Sequence, residues 1–327
     1  NMSVHSVELL GVANASCPLR VFKPQIVYGM LNQSVPFAES LNMLVLMLQI
    51  NVDLRGDQQS SLTVSGLAGA KLEDELNVAA SADSTGTWCL SDGFFSAASE
   101  SVTVTVCPGA QALAGETYFV DFRLRNPALG QTSPSISMEA MAVDAKTLDD
   151  GSYLPPVNIP LITVDKPDQA LLGVAHGSAP LEIADVKFLG KNISQSTPLS
   201  GKDNMITVGI STRFTVLSSF SPEITITGLL GSSFVGLTST CDTAGWQVSY
   251  VSWNGTTGEL VVDLCEGSDM VADEAFEFSF SVINSVEEQS ATPVLISMSS
   301  AQFPKFLASE MSRPGLTIAG IQSFTDP

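Results

Sequence analysis

The sequence predicts an all-β chain made of two antiparallel β-sandwich modules in tandem, on three observations. The chain repeats itself, each copy reads as short strands with period-two alternation, and Gly, Ser, Asn and Pro punctuate those strands with no convincing amphipathic helix among them. The repeat is plainest in Leu9-Leu-Gly-Val-Ala-Asn-Ala-Ser-Cys-Pro-Leu19, which returns as Leu171-Leu-Gly-Val-Ala-His-Gly-Ser-Ala-Pro-Leu181. At the same offset Gln33-Ser34-x-Pro36 returns as Gln195-Ser196-x-Pro198 and Asn42-Met43 as Asn204-Met205, while Thr63, Gly66, Leu67 and Gly69 return as Thr225, Gly228, Leu229 and Gly231. Past a small deletion, Trp88, Cys107, Gly109, Glu116, Phe122, Asn126 and Gln131 recur as Trp246, Cys265, Gly267, Glu274, Phe280, Asn284 and Gln289. The length of 327 residues suits two modules, since a domain takes roughly 100–200 residues. Module 1 is placed at residues 1–167, opening with a linker at 1–20, and module 2 at residues 168–327, opening with a linker at 168–182.

The strands follow in order. Leu62-Thr-Val-Ser-Gly-Leu-Ala-Gly69 and its copy Ile224-Thr-Ile-Thr-Gly-Leu-Leu-Gly231 read as short strands running into glycine turns. Val102, Val104 and Val106 match Leu260, Val262 and Leu264 as one inward face. In Thr117-Tyr-Phe-Val-Asp-Phe-Arg-Leu-Arg-Asn126, Tyr118, Val120, Phe122 and Leu124 share a face opposite Asp121, Arg123 and Arg125. The copy keeps the alternation through different residues: Phe276, Phe278, Phe280 and Val282 inward, Glu277, Ser279 and Ser281 outward. Asn254-Gly255 reads as a tight hairpin turn, because both residues tolerate φ > 0. Each module closes on a further strand, Val157-Asn-Ile-Pro-Leu-Ile-Thr-Val164 and Leu316-Thr-Ile-Ala-Gly-Ile321. Pro160 puts the first of these at a sheet edge, since proline cannot donate to a ladder. Many short strands with such turns describe an immunoglobulin-like sandwich.

Composition narrows the function classes. A hydrophobic content of 44% gives each module a substantial core. The longest apolar run, residues 43–50, is far shorter than the ~20 residues that cross a bilayer as a helix. The net charge of −20, from 14 basic against 34 acidic side chains, argues against nucleic acid and anionic lipid as partners. No signal peptide is visible and the chain opens at Asn1, which fits a removed leader or a longer precursor.

Cysteines and sequons point outside the cell. Cys107 and Cys265 occupy equivalent positions, and each has one cysteine upstream in its own module. The pairing expected is Cys89–Cys107 and Cys241–Cys265, each worth roughly 3 kcal/mol by loop closure. Five reduced, buried thiols are the alternative, and Cys17 has no partner in either scheme. Asn1, Asn14, Asn32, Asn192 and Asn254 each open an Asn-x-Ser/Thr sequon, so N-linked glycans are expected. Asp144, Asp149, Asp150, Asp165 and Asp168 gather near the module junction and are a weak candidate for calcium, because their spacing follows no fixed ligand pattern. No other cofactor is implied.

Catalytic motifs are missing: there is no Gly-x-Ser-x-Gly elbow, no His-Glu-x-x-His and no Gly-x-x-x-x-Gly-Lys. Of the two histidines, His176 aligns with Asn14, so the module does not need it. Glu116 and Glu274 are the acidic position kept in both copies and read as surface residues at a strand entry. Trp88 and Trp246 are equivalent, hence core. Trp253 is the candidate for an exposed recognition platform.

The string Leu-Leu-Gly-Val-Ala-x-Gly-x-x-Pro-Leu, followed by Gln-Ser-x-Pro-Leu, Asp-Asn and Thr-Ile-Thr-Gly-Leu, resembles a module repeated in very large secreted surface proteins of algae and other protists. The first copy departs from it at Asn-Ala-Ser-Cys and at Phe37-Ala38-Glu39. The resemblance implies a secreted, tandem-module structural protein and brings no catalytic residue with it. The function expected is therefore an extracellular structural glycoprotein of a surface fibre or coat. The second reading is an adhesin or glycan-binding module of the same fold, with other surface glycoproteins or glycans as partners. Leu171, Leu172 and Val174 are expected to pack on the end of module 1, and their copies Leu9, Leu10 and Val12 to seat residues 1–20 on module 2 of the next molecule. Such a heterologous, head-to-tail contact makes a filament unless it closes.

Overall fold

The computed structural model describes Leu19 and residues 21–72, 78–82, 88–142, 157–237, 241 and 247–313. Asn1, Leu9, Leu10, Val12, Asn14, Cys17, Asp144, Asp149, Asp150, Trp246 and the expected strand at 316–321 lie outside the described residues. The chain divides into two compact units, Asn1–Leu171 with Ala175–Ile183, and Leu172–Val174 with Ala184–Pro327. Residues 168–171 and 175–183, which the sequence reading gave to module 2, thus belong to the first unit.

The first unit contains β1 (Ile26–Gln33), β2 (Leu41–Ile50), β3 (Leu54–Arg55), β4 (Ser61–Ser65), β5 (Val78–Ala82), β6 (Leu90–Ser96), β7 (Ser101–Val106), β8 (Gln111–Ala112), β9 (Thr117–Arg125), β10 (Ser137–Ala142) and β11 (Val157–Thr163). One sheet runs β1-β2-β9-β5, a second β11-β10-β4-β7-β6, β3 and β8 form a two-stranded third, and every strand pairing within them is antiparallel. The second unit repeats this with β12 (Phe188–Gln195), β13 (Asp203–Thr212), β14 (Glu223–Thr227), β15 (Ser233–Leu237), β16 (Val248–Asn254), β17 (Glu259–Leu264), β18 (Phe276–Ile283), β19 (Leu295–Ser299) and β20 (Phe306–Glu310). Its sheets run β12-β13-β18-β15 and β16-β17-β14-β19-β20. No α-helix occurs among the described residues, and no described helix is long and apolar enough to cross a membrane.

Period-two alternation sets the core. Tyr118, Val120, Phe122 and Leu124 of β9 are each 1% exposed, on a strand flanked by β2 and β5. Phe276, Phe278, Phe280 and Val282 of β18 are buried in the same way, as are Val102, Val104 and Val106 and their copies Leu260, Val262 and Leu264. Trp88 is buried with its ring 4.7 Å from that of Tyr118. Gly66 and Gly228, at φ 87° and 97°, end β4 and β14. A Cβ there would stand 2.3 Å from Ser135 O and 2.2 Å from Pro293 O, which explains why the glycine appears in both copies. β11 lies at a sheet edge, where Pro160 removes no interior ladder bond.

Two local readings change. The hairpin joining β16 to β17 is not a two-residue turn at Asn254-Gly255: Asn254 still pairs with Glu259, and the left-handed residue is Gly258, at φ 59°. The close approach of Gly258 to the Leu229 and Leu230 backbone selects glycine there, while Asn254 Oδ1 accepts from the Thr256 and Thr257 amides. The last described strand of the second unit is β20, followed by Ser312 bridging Asn192 as Asp165 bridges Met30 in the first unit. Asp165-Lys166-Pro167 therefore corresponds to Ser312-Arg313-Pro314, and residues 316–321 follow that point. The sequence comparison missed this because residues 300–305 joining β19 to β20 form a shorter connection than residues 143–156 joining β10 to β11.

Candidate functional site: a strap groove at one end of each sandwich

The residues that recur most faithfully meet at one end of each sandwich. Gln33 closes β1, Asn42 opens β2 and Asn126 follows β9. Asn42 Oδ1 accepts from the Ser34 and Val35 amides, at 3.1 Å each, and from Ser34 Oγ. Its Nδ2 donates to Gln33 Oε1 at 2.9 Å and to Asn126 Oδ1 at 2.8 Å. Asn126 Nδ2 in turn donates to the carbonyls of Val35 and Phe37. Asn42 and Asn126 are fully buried, so this satisfied network fixes the Gln33 amide in one orientation.

Gln33 uses that orientation to hold a strap, residues 175–183. Its Nε2 donates to Gly177 O at 2.8 Å and to Glu182 O at 2.9 Å, and its Oε1 accepts the Leu181 amide at 2.9 Å. Across the groove, Gln131 and Ile183 exchange both backbone hydrogen bonds, and Gln131 Nε2 donates to the carbonyls of Ala68 and Leu181. Ser133 Oγ donates to Pro180 O, and the Ser133 amide donates to Glu182 Oε2. Leu181 is wholly buried in the core of the first unit, and Ala179 and Ile183 are buried as well. Burying such a leucine contributes about 1.5–3 kcal/mol.

The sequence placed the apolar anchor elsewhere. Of Leu171, Leu172 and Val174, the last two group with the second unit, where the Thr215 amide donates to Gly173 O. The seated segment lies further along the same repeated string, at Ala179, Leu181 and Ile183. Gln33, Gln131 and Leu181 each appear in the repeat, but only the structure shows that the two glutamines grip the strap.

The second unit builds the same network with Asn204, Gln195 and Asn284. Here the described residues line a groove of about 720 Å³, with Gln195, Ile206, Leu229, Val282, Gln289 and Arg313 among its walls. Gln33 is buried but Gln195 is exposed; Leu67 is fully buried but Leu229 only partly so. Phe37 is fully buried, whereas Leu199 at its position is 62% exposed. The base of the groove remains apolar, with Ile193, Ile206 and Val282 buried.

The structure pairs Cys89 with Cys107 and Cys241 with Cys265, with Cα–Cα distances of 5.3 and 5.4 Å. Among the sequon residues, Asn254 and Asn192 are exposed on β16 and β12, and Asn32 is partly buried on β1 with Oδ1 shielded from solvent. Trp253 is half-buried and belongs to an aromatic row: the Phe234 ring is 5.0 Å from that of Tyr250 and 5.7 Å from that of Trp253, both near-parallel. Tyr250 is 49% exposed.

Among the described residues no group of three or more His, Cys, Asp or Glu side chains stands ready for a metal. Asp165 bridges β1 through its backbone, and Asp168 is bonded to His176. The Asp168 hydrogen bond and charge hold the exposed His176 imidazole above its ordinary pKa. Ser133 lies near both, but its hydroxyl proton goes to Pro180 O and its oxygen accepts from Lys166 Nζ, so it is not set up as a nucleophile for His176. Glu116 and Glu274 sit in the turns before β9 and β18.

One carboxylate pair is notable electrostatically. Asp263 on β17 faces Glu223 on β14; burial, and then the Glu223 charge, raise the Asp263 pKa. A carboxyl raised in the folded state binds its proton more tightly there, so stability falls as pH rises from the unfolded value, about 3.9, through the folded one. Asp263→Asn should therefore raise the melting temperature at neutral pH by about 1–3 °C. Calorimetry should show that gain fading in acid, and an equal gain at both pH values would place its origin outside this titration.

No protein-family model matches the chain, and no curated protein matches it in sequence. Solved structures similar to it include the C-terminal domain of the antigen I/II-family protein AspA of Streptococcus pyogenes, at 10% identity over 89% of this chain and 99% of that one, with a TM-score of 0.47. Domains D2 and D3 of the major pilin SpaD of Corynebacterium diphtheriae are 7% identical over 84% of this chain and 83% of that one, with a TM-score of 0.25. The collagen adhesin CNA of S. aureus is 10% identical over 88% and 91%, with a TM-score of 0.20.

Proposed function

We propose that this chain is an extracellular structural glycoprotein whose β-sandwich modules are building blocks of a surface fibre or coat, of the kind repeated in very large surface proteins of algae and other protists. The observation that carries the reading is the strap: residues 175–183, part of the repeated linker string, are locked into the first sandwich by Gln33, Gln131 and a buried Leu181. A linker held by backbone hydrogen bonds and an apolar anchor resists being drawn out, which suits a load-bearing array better than a hinged enzyme. Two disulfides support an oxidising compartment, and the acidic surface favours solubility there. Asn254 and Asn192 are the best-placed glycan acceptors, being exposed. Electron microscopy of the native material should show long particles of regular spacing; uniformly dispersed single molecules would count against the reading.

A second reading, a glycan-binding adhesin module, is favoured by the stacked row of Tyr250, Phe234 and Trp253. Aromatic faces of this kind are common recognition anchors. Binding on a glycan array that disappears in Trp253→Ala would establish it.

A further inference from the structure

We propose that each sandwich carries tension along the chain through a shear clamp between its first strand and the segment by which the chain leaves it. The inference rests on the load-bearing structural reading above and says which bonds take the load. The strand ladders of both units are antiparallel, and the two parallel bridges among the described residues fall at equivalent places: Met30 with Asp165, and Asn192 with Ser312. In the first unit the Asp165 amide donates to Gly29 O at 2.8 Å and the Leu31 amide to Asp165 O at 3.0 Å. In the second the Ser312 amide donates to Lys191 O at 2.9 Å, the Ile193 amide to Ser312 O at 3.0 Å, and Ser312 Oγ again to Lys191 O. Both bridges sit in a short latch of the same build. The residue before the bridge is buried and tied to the lead-in of a second strand: the Val164 amide donates to Ile136 O before β10, and the Met311 amide to Val294 O before β19. The residue after it is a cation whose head group the backbone holds, Lys166 by Ser133 O and Pro134 O, Arg313 by Thr292 O. Val-Asp-Lys and Met-Ser-Arg share no residue, so what recurs in the two units is the placement.

Direction makes the latch a clamp. Tension along the chain enters the second unit at the start of β12, Phe188, and leaves it beyond Ser312. In a parallel pair those points lie at opposite ends, so pulling them apart slides β12 lengthwise. Ser312 holds one flank of β12 and β13 the other, and the bonds on both flanks must give together. Pulled from one end, the same bonds would open singly, and each is weak alone. Sliding also drags Ile193 and Met311, both buried, away from the core. The first unit is loaded in the same sense between Ile26 and Asp165, with the strap as a further hold on the chain beyond the latch. Neither Cys89–Cys107 nor Cys241–Cys265 joins a first strand to its latch, so hydrogen bonds and not a covalent bridge take the load. The turn after β12 offers the opposite direction of pull: Ser200, Gln195 and Arg313 line the same groove, so a force applied at residue 200 acts at the latch's own end.

The test compares two pulling directions on the full chain in an optical trap, with Cys17→Ser in every sample to prevent thiol exchange. Handles at the two chain termini load β12 lengthwise. A handle on Ser200→Cys, at an exposed turn position, with the second at the C-terminus, peels Ser312 from β12. Reducing agent identifies the second unit's event, lengthening it by the 24-residue separation of Cys241 and Cys265 against 18 for the pair in the first unit. The lengthwise rupture force of the second unit should exceed the peeling force about twofold or more, because bonds that give together resist more than bonds that give singly. Ser312→Pro removes the amide and hydroxyl donors to Lys191 O. It should raise the lengthwise unfolding rate at fixed load about 10-fold and leave the peeling rate and the first unit's event as they were. Equal forces in the two directions would overturn the clamp whether or not Ser312→Pro folds, and so would a Ser312→Pro chain as resistant to lengthwise load as the unaltered one. Equal forces alongside long regular particles in the native material would leave the structural reading standing. A directional clamp in native material of dispersed single molecules would sink that reading and keep the clamp.

Discussion

Phe122→Ala is expected to destabilise the first sandwich by about 3–5 kcal/mol, and Phe280→Ala the second by the same amount. Phe122 is 1% exposed and Phe280 is 0% exposed, each at the middle of the strand that its sheet pairs on both sides. Phe122 stands opposite Leu44 on β2 and Val78 on β5. The hole left by a phenyl ring cannot collapse there, because strands fixed by backbone ladders on both sides cannot close in without losing hydrogen bonds. For a domain of this size the loss corresponds to a fall of roughly 10 °C in melting temperature. Thermal denaturation of the two variants checks it, and an unchanged midpoint in either would mean that the strand faces the other way.

Asn42→Ala should cost about 3 kcal/mol or more, although the side chain is small and polar. Its amide receives three hydrogen bonds and gives two, at a site with no solvent exposure. Alanine would leave the Val35 amide and Asn126 Oδ1 without their partner, and a buried polar group left unpaired costs about 1–3 kcal/mol. The change should also free Gln33 to turn, so amide exchange at Leu181 and Ile183 should quicken before the sandwich itself melts. Asn204→Ala should destabilise the second sandwich similarly without touching that strap. If Asn42→Ala leaves both the midpoint and the exchange of Leu181 unchanged, the network does not orient the groove.

The strand faces were legible in the sequence because burial on a sheet has a period of two, and the repeat supplied a second reading of each strand. Tyr118 to Leu124 and Phe276 to Val282 keep the alternation with different residues, which only a shared buried face requires. The cysteine pairs were legible for a similar reason: Cys107 and Cys265 are equivalent, and each has a single cysteine upstream within its own module. The recurrence of Gln33, Asn42, Asn126 and Gln131 was visible too, but not its purpose. Those side chains are separated along the chain and come together only when β1, β2 and β9 pair, and what they hold is a stretch of backbone with Leu181 as its apolar anchor.

Tertiary structure alone decided which part of the repeated string is the anchor. Leu171, Leu172 and Val174 and Ala179, Leu181 and Ile183 are equally apolar on paper, and hydrophobicity cannot choose between them. The choice is made by hydrogen-bond geometry: Gln33 and Gln131 present amides at a spacing that the backbone of residues 177–183 satisfies, and Leu181 then falls into the core. The same holds at the β16–β17 hairpin, where the sequence favoured Asn254-Gly255 and the approach of the Leu229 and Leu230 backbone moved the left-handed residue to Gly258. The sequence by itself determined an all-β chain written twice, with its strand faces and cysteine pairs. Where the linker seats depended on distant backbone groups meeting in space, which local pattern does not encode.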